Sequence, residues 1–258
     1  MQQYNCLGVI PARISSTRLP KKPLCDIAGK SLIQRVYEQC LLTKTLSKII
    51  IATDDNRIVD ACKAIRAPVV LTNKEHPSGT DRVAEVLTSE NKAGNHYSFV
   101  ANIQGDLPFI QPELIDLAVQ SFSKTSSDIG MGTVAAPLSD YGDFTKSSVV
   151  KVVTDRFGKA LYFSRSPIPH VRDSNKGSPI VPSCALKHVG LYIYRPETLL
   201  SFPRLSKGPL EPYESLEQLR ALENGIQIHV AVVPSERLEP GIEVDTEEDL
   251  KRAIEFAS

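Results

Sequence analysis

Charge of one sign is not in excess anywhere in the totals: 30 Lys and Arg stand against 30 Asp and Glu, and the formal net charge is zero. Nothing global therefore draws the chain to nucleic acid or to an anionic membrane, and any positive field has to be built locally, around a particular ligand. The five cysteines, Cys6, Cys25, Cys40, Cys62 and Cys184, form no C-x-x-C pair. With no secretory leader evident ahead of them, they are expected to be reduced, mostly buried thiols of a cytoplasmic protein. Long hydrophobic runs are missing too. The opening run, Cys6-Leu7-Gly8-Val9-Ile10, stops at Pro11, which is a strand's length and too short for a signal peptide or a membrane span.

Several chemical signatures are also absent. Without G-x-G-x-x-G or a Walker lysine motif, neither dinucleotide binding nor the common ATPase reading is supported. His76, His96, His170, His188 and His229 are isolated, with no H-E-x-x-H or Cys/His framework, so a histidine-based metal site is not expected. Gly-x-Ser-x-Gly is missing as well, and no Ser/His/Asp arrangement can be assembled from the sequence.

What is present is an ordinary globular balance, 41% hydrophobic and 23% charged over 258 residues. That suits one domain with a substantial core, or a main domain carrying a smaller subdomain. Short apolar runs alternate with amphipathic stretches. Leu7–Ile10 and Ile49–Ala52 read as strands, and between them Leu32, Ile33, Val36, Tyr37, Cys40 and Leu41 recur at helical spacing. Ile58, Val59, Cys62 and Ile65 precede a strand at Pro68–Leu71, and Val83, Ala84, Val86 and Leu87 precede another at Phe99–Ile103. Strand, helix, strand is the unit of a parallel sheet, whose doubly covered strands are continuously apolar. Ligands of such an open α/β sheet bind beyond the carboxyl ends of the strands, so the loops after Ile10, Ala52 and Ile103 are where chemistry is expected.

The texture changes from Ile129, and a soft boundary falls near residue 136. Strands are expected at Gly130–Pro137, Val149–Val153, Ala160–Phe163, Leu186–Tyr194 and Ile228–Val233, with a helix around Leu216–Leu222. The proline-rich stretch Pro167–Pro182 reads as a long surface loop. Thr246-Glu247-Glu248-Asp249 is expected to cap a closing helix with Leu250 and Ile254 on its apolar face.

Three places can carry chemistry. The stretch Pro11–Leu24 follows the first strand and brings Arg13, Arg18 and Lys22 together. Backbone donors and cations there can converge on an anion such as a triphosphate, or the stretch is a solvated basic loop. Asn102-Ile103-Gln104-Gly105-Asp106 sets a carboxylate at a strand end, as a metal ligand or as a turn or cap residue. Asp245 is the natural partner: Thr246 can cap the last helix, leaving the acid free, and magnesium takes hard oxygen ligands together with substrate phosphates. In His76-Pro77-Ser78-Gly79-Thr80-Asp81-Arg82, Ser78 or Thr80 serves either as a helix cap or in holding a base and ribose. His188, in an otherwise apolar strand, is either a core histidine or a substrate contact.

These residues carry a resemblance. The segments P11-A-R-x-x-S-x-R-L-P-x-K-P-L24, A52-T-D54, H76-x-S-G-T-D-R82, N102-I-Q-G-D106, A160-L-Y-F-S-R165, K187-H-V-G-L-Y192, L210-E-P-Y-E-S-L-E-Q-L-R220 and V244-D-T-E-E-D-L250 resemble, in order and over nearly the whole length, the 3-deoxy-manno-octulosonate (Kdo) cytidylyltransferases, or CMP-Kdo synthetases. The resemblance implies a three-layer, Rossmann-like α/β fold of the nucleotide-diphospho-sugar-transferase type, with a mostly parallel mixed sheet and a smaller mixed subdomain. It implies one domain over residues 1–258: 1–136 mainly nucleotide-binding, 137–235 mainly sugar-binding and dimerisation, 236–258 returning to the main sheet.

The activity implied is magnesium-dependent transfer of cytidylate from CTP to Kdo, for lipopolysaccharide assembly in the cytoplasm, by a homodimer that binds neither nucleic acid nor, stably, a membrane. By the same resemblance Ala12 and Arg13 meet the nucleotide, Arg18 and Lys22 its phosphates, and Thr80 and Arg82 help hold cytidine. Asp106 and Asp245 match the metal-binding acids, with Arg13, Lys22 and the two acids carrying catalysis. Gln104, Arg165, His188, Glu211 and Gln218 match the region around the sugar acid. Two positions depart from the family: Leu107 where Glu is usual, and Pro212 where His is common. They leave open an 8-amino-Kdo or another acidic sugar as substrate, and the remaining alternative is a nucleotide-binding homologue without catalysis.

Overall fold

A computed structural model describes residues 4–16, 18–172, 180–238 and 241–258. In chain order the elements are β1 (Cys6–Ala12), the hairpin β2 (Asp26–Ile27) and β3 (Lys30–Ser31), α1 (Leu32–Leu41), β4 (Leu46–Thr53), α2 (Asn56–Ala64), β5 (Val69–Leu71), α3 (Gly79–Lys92), β6 (Phe99–Asn102), α4 (Pro112–Ser123) and β7 (Ile129–Pro137). There follow α5 (Tyr141–Thr145), β8 (Lys151–Thr154), β9 (Ala160–Ser164), β10 (Leu186–Tyr194), α6 (Pro196–Ser201), α7 (Leu210–Glu214), α8 (Gln218–Glu223), β11 (Gln227–Val232) and α9 (Glu247–Ala257). Of the expected loop 167–182, residues 173–179 lie outside the described residues, and the remainder has neither helix nor strand.

The strands form one mixed sheet in the order β11-β7-β10-β6-β1-β4-β5, with β8 beside β10 and β9 beside β8. β5, β4, β1 and β6 run parallel, as do β7 and β11, while β10 is antiparallel to both β6 and β7. Ala12 pairs with Thr53 and Val9 with Asn102. The chain therefore leaves β1, β4 and β6 at the same sheet edge, where an open α/β sheet receives its ligand.

Alternate side chains of each strand enter opposite cores. Ile10, Ile51, Ala101 and Ile193 pack under Ile33 and Val36 of α1, Ile58 of α2 and Ile115, Val119 and Phe122 of α4. Leu7, Val9, Ile50 and Val100 pack on the other face under Val83, Val86 and Leu87 of α3, Leu199 and Leu219. Each fully buried aliphatic side chain of this kind contributes about 1.5–3 kcal/mol relative to exposure.

Several elements differ from the sequence expectation, the short helices α5, α6 and α7 among them. α4 was not anticipated, although Pro112 opens it, Glu113 lies in its first turn and its buried residues recur at helical spacing. The helix expected around Leu216–Leu222 is α8, and a further short helix, α7, precedes it, ending at Ser215 in the left-handed region at φ 51°. Thr246 caps α9 in a reciprocal box with Asp249. α9 packs not on the sheet face but beside the β2–β3 hairpin, where Ala253 and Val244 join Leu19, Ile27 and Leu32, and Phe256 meets Phe109 edge-on at 4.8 Å.

Candidate active site

The last segment of the chain is tied directly to the loop after β6. The Val244 amide donates to the Asp106 carbonyl at 2.9 Å. Gly105 lets that loop approach the end of β1, since a Cβ there would lie 2.8 Å from the Pro11 carbonyl oxygen. Asp106 and Asp245, 139 positions apart by number, consequently face one ammonium: Lys22 Nζ donates to Asp106 Oδ2 at 2.9 Å and to Asp245 Oδ1 at 2.8 Å. Arg18 reaches Asp245 Oδ2 at 2.8 Å. Burial works against the Lys22 charge, yet the two carboxylates outweigh it and hold its pKa above the ordinary lysine value.

The basic loop is shaped to present these cations. Leu19 is buried and anchors it in the core under α9. Lys21 takes a left-handed conformation at φ 55°, and the 3-10 turn Lys22–Leu24 follows. Arg13 is exposed at the mouth, and Ala12, the last residue of β1, is buried.

Sequence reasoning missed a third acid. Carboxylate oxygens of Asp106, Glu243 and Asp245 lie within 4.8 Å of one another. Burial of its carboxyl and the neighbouring Asp106 and Asp245 push the Glu243 pKa up to about 7, although the residue as a whole is exposed. The signal was its place two residues before Asp245, which in extended chain puts both side chains on one side.

A second polar cluster adjoins. Thr80, in the first turn of α3, donates its hydroxyl to Glu217, and the buried Tyr194 side chain lies close to Thr80 and Asn102. Asn102 Oδ1, Glu217 Oε1 and Gln218 Nε2 are buried without a hydrogen-bond partner among the described residues. Such atoms are rare unless a ligand or water satisfies them. Glu217, Tyr194 and Asn102 went unassigned in the sequence reading. Gln104 is half-buried beside this strand end, with Gly190 leaving room for its Cγ.

The remaining expected residues are engaged by the chain itself. Ser78, not Thr80, caps α3. The Arg82 guanidinium is buried against Thr72, Asn73 and Asp54. Glu211 gives both carboxylate oxygens to Arg220, at 2.7 and 2.5 Å. Arg165 donates to the carbonyls of Glu214, Ser147 and Ser215, while Glu214 accepts from the Arg165 amide and Ser164 hydroxyl. Lys151, fully buried, fixes that corner by donating to the carbonyls of Lys146, Val149 and Arg165.

His188 lies against Thr133, whose Oγ1 is 2.9 Å from Nε2, with Phe163 edge-on at 5.0 Å. Burial of its ring lowers the pKa from 6.5 to about 3. Between those values the unfolded chain binds more protons than the folded one, so stability falls as pH drops through that window. His188→Gln removes this slope. Urea unfolding at several pH values is expected to show the variant losing less stability than wild type below about pH 6.5, with parallel behaviour above about pH 7. Identical acid slopes would contradict the neutral buried ring.

A mostly parallel α/β sheet, with cations after its first strand and acids converging beyond its edge, defines a nucleotidyltransferase-like protein. A family model described as cytidylyltransferase matches residues 7–228. The 3-deoxy-manno-octulosonate cytidylyltransferase of Solibacter usitatus is 49% identical over 95% of this chain and 92% of its own length. That of Syntrophotalea carbinolica is 45% identical over 95% of both. Among solved structures, a CMP:2-keto-3-deoxy-manno-octonic acid synthetase complexed with CTP superposes with a TM-score of 0.87 at 36% identity, covering 98% of each chain. The chain belongs to the cytidylyltransferase family, and within it to the 3-deoxy-manno-octulosonate cytidylyltransferases. Glu243 and Asp245 lie beyond the span of the family model.

Proposed function

We propose that this chain transfers cytidylate from CTP to Kdo, giving CMP-Kdo and diphosphate. The observation that carries the reading is the convergence of Asp106 and Asp245 on Lys22 beside the basic loop, in a chain so similar to enzymes of that name. The sugar's anomeric hydroxyl attacks the α-phosphorus of CTP in line with the departing diphosphate, and loses its proton as the new P–O bond forms. Arg13, Arg18 and Lys22 supply fixed positive charge around the phosphates. Ala12 and Thr80 border the nucleotide, and the Asn102, Glu217 and Gln218 atoms that lack a hydrogen-bond partner suit a polyhydroxylated sugar. Gln104, Arg165, His188 and Glu211 complete and shape that side.

The donor set fits magnesium: hard carboxylate oxygens converge, and a cation, the Lys22 ammonium, is already stabilised among them. Asp106 and Asp245 would hold the ion, with Glu243 at hand; when bound it neutralises phosphate charge. Region 1–136 then serves mainly the nucleotide and 137–235 the sugar and a homodimer, with 236–258 bringing Asp245 to the site. The exposed Tyr141, Phe157, Leu161 and Ile180 of the middle region support the dimer, which light scattering tests. No helix among the described residues is long and apolar enough to cross a membrane, in keeping with a cytoplasmic enzyme.

Leu107 packs against the apolar core and Pro212 is exposed, so neither offers a polar group to select an amino sugar. The test is diphosphate release with magnesium, each of the four nucleoside triphosphates, and Kdo or 8-amino-Kdo, with the product weighed by mass spectrometry. Release with CTP and Kdo is expected. Exclusive use of UTP or GTP, or CTP binding without release, would eliminate the reading.

A further inference from the structure

Asp54 and Arg82 stand outside the acidic centre, yet between them they join three strand ends to the start of α3, which carries Arg82. Arg82 is 3% exposed. Its Nη1 donates to Thr72 Oγ1 at 2.6 Å and to the Asn73 carbonyl at 3.2 Å, and its Nη2 donates to Asp54 Oδ2 at 3.2 Å. Asp54, 8% exposed, accepts the Ile14 amide on its other oxygen at 3.1 Å. Thr72 in turn donates its hydroxyl and its amide to the Thr53 carbonyl, at 2.9 and 2.7 Å. Ile14 is the second residue beyond β1, next to Arg13.

We propose that Arg82 and Asp54 are positioning residues for the phosphate-facing loop: Arg82 does not meet the nucleotide but holds the Asp54 carboxylate against the Ile14 amide. Arg13, and the turn that leads to Arg18 and Lys22, are thereby presented in one geometry. A buried carboxylate deprived of its guanidinium either stays unpaired or turns toward water, and both cost free energy. Turning withdraws the acceptor from Ile14 and frees the start of the loop. A small misplacement there matters, because displacing reacting groups by about 1 Å costs on the order of a hundredfold in rate. The assignment of a phosphate role to this loop rests on the function proposed above; the mechanical link from Arg82 to Ile14 does not.

Amide exchange on the protein without nucleotide reads the link directly. Arg82→Met is expected to lower protection of the Ile14 amide by about tenfold, with β6 and β7 amides unmoved; unchanged Ile14 protection overturns the proposal. In steady-state kinetics, Asp54→Asn and Arg82→Met should each raise KM for CTP about tenfold and leave KM for Kdo within about twofold, and the double variant should be no worse than either single one. Additive effects, or a raised KM for CTP with Ile14 protection intact, would assign Arg82 to the nucleotide itself. Losses in kcat and both KM values that track the loss of folded protein would reduce the pair to a structural role, and equally overturn it.

If neither variant accumulates folded, Thr72→Val removes the hydroxyl that accepts from Arg82 and donates to the Thr53 carbonyl, while the Thr72 amide keeps its bond to that carbonyl. The substitution should lower Ile14 protection about threefold, and no change overturns the proposal. Wild-type protein that releases no diphosphate from CTP and Kdo would count against the function alone, because the exchange result stands without it.

Discussion

Asp106→Asn is expected to lower kcat for diphosphate release from CTP and Kdo by about 10²–10³-fold, without lowering the stability of the fold. The loss follows from what Asp106 does at the site. It is one of two acids that Lys22 bridges, at 2.9 Å, and one of three whose oxygens lie within 4.8 Å. Asparagine keeps the shape and one acceptor but removes the charge that a hard divalent cation needs. Stability should move the other way or not at all, because three carboxylates crowded together repel one another and removing one relieves that repulsion. Lys22 keeps Asp245 as its partner. The measurements are initial rates over a magnesium titration, where half-saturation should also shift to higher concentration, and a thermal unfolding curve without nucleotide. Near-normal turnover at saturating magnesium would end the metal-ligand assignment. A large drop in unfolding temperature would instead make Asp106 a structural residue.

Much of this site was legible because strand ends are legible. Apolar runs bounded by Pro11, Thr53 and Gly105 marked β1, β4 and β6, and a parallel sheet brings their loops to one edge. The pairing of Asp106 with Asp245 was harder to read: it depends on the Val244–Asp106 backbone bond and on α9 packing beside the β2–β3 hairpin. Those contacts span most of the sequence, and nothing local encodes them. The insertion of antiparallel β10 between β6 and β7 is of the same kind, since an apolar nonapeptide specifies a buried strand and not its neighbours.

Side-chain direction was the least legible feature. Arg82, Arg165 and Glu211 all have residue types suited to an anionic or hydroxylated ligand. Each holds another part of the chain: Asp54, the carbonyls around Glu214, and Arg220. In the same neighbourhood Glu217 and Gln218 keep buried atoms without a hydrogen-bond partner. A motif fixes that such residues sit near a site, while burial and partner geometry decide which of them touch the ligand and which support those that do.

Arg220 shows the difference most sharply, and Arg220→Met is expected to destabilise the protein by about 3–5 kcal/mol. Arg220 is 4% exposed and Glu211 9%; the fork meets the carboxylate at 2.7 and 2.5 Å, and the guanidinium lies 5.1 Å from the centre of the Phe202 ring. Methionine fills a similar volume but leaves the Glu211 charge buried with only Lys207, at 3.8 Å and largely in solvent, to answer it. For a domain of this size the loss corresponds to a fall of about 6–20 °C in unfolding temperature. Adding Glu211→Leu removes the stranded charge and should restore most of the stability, since a well-packed apolar pair replaces a buried ion pair at little net cost. Binding should not recover with it. Arg220 Nη2 also lies 3.6 Å from Glu217 Oε1, the acid that accepts from Thr80 in the proposed substrate site. The double variant is therefore expected to regain its unfolding temperature while KM for Kdo stays raised by about tenfold, a neighbouring cation to a buried carboxylate being worth at least that much. Unfolding curves paired with KM for both substrates make the separation visible, and recovery of both together would show that Arg220 serves the fold alone.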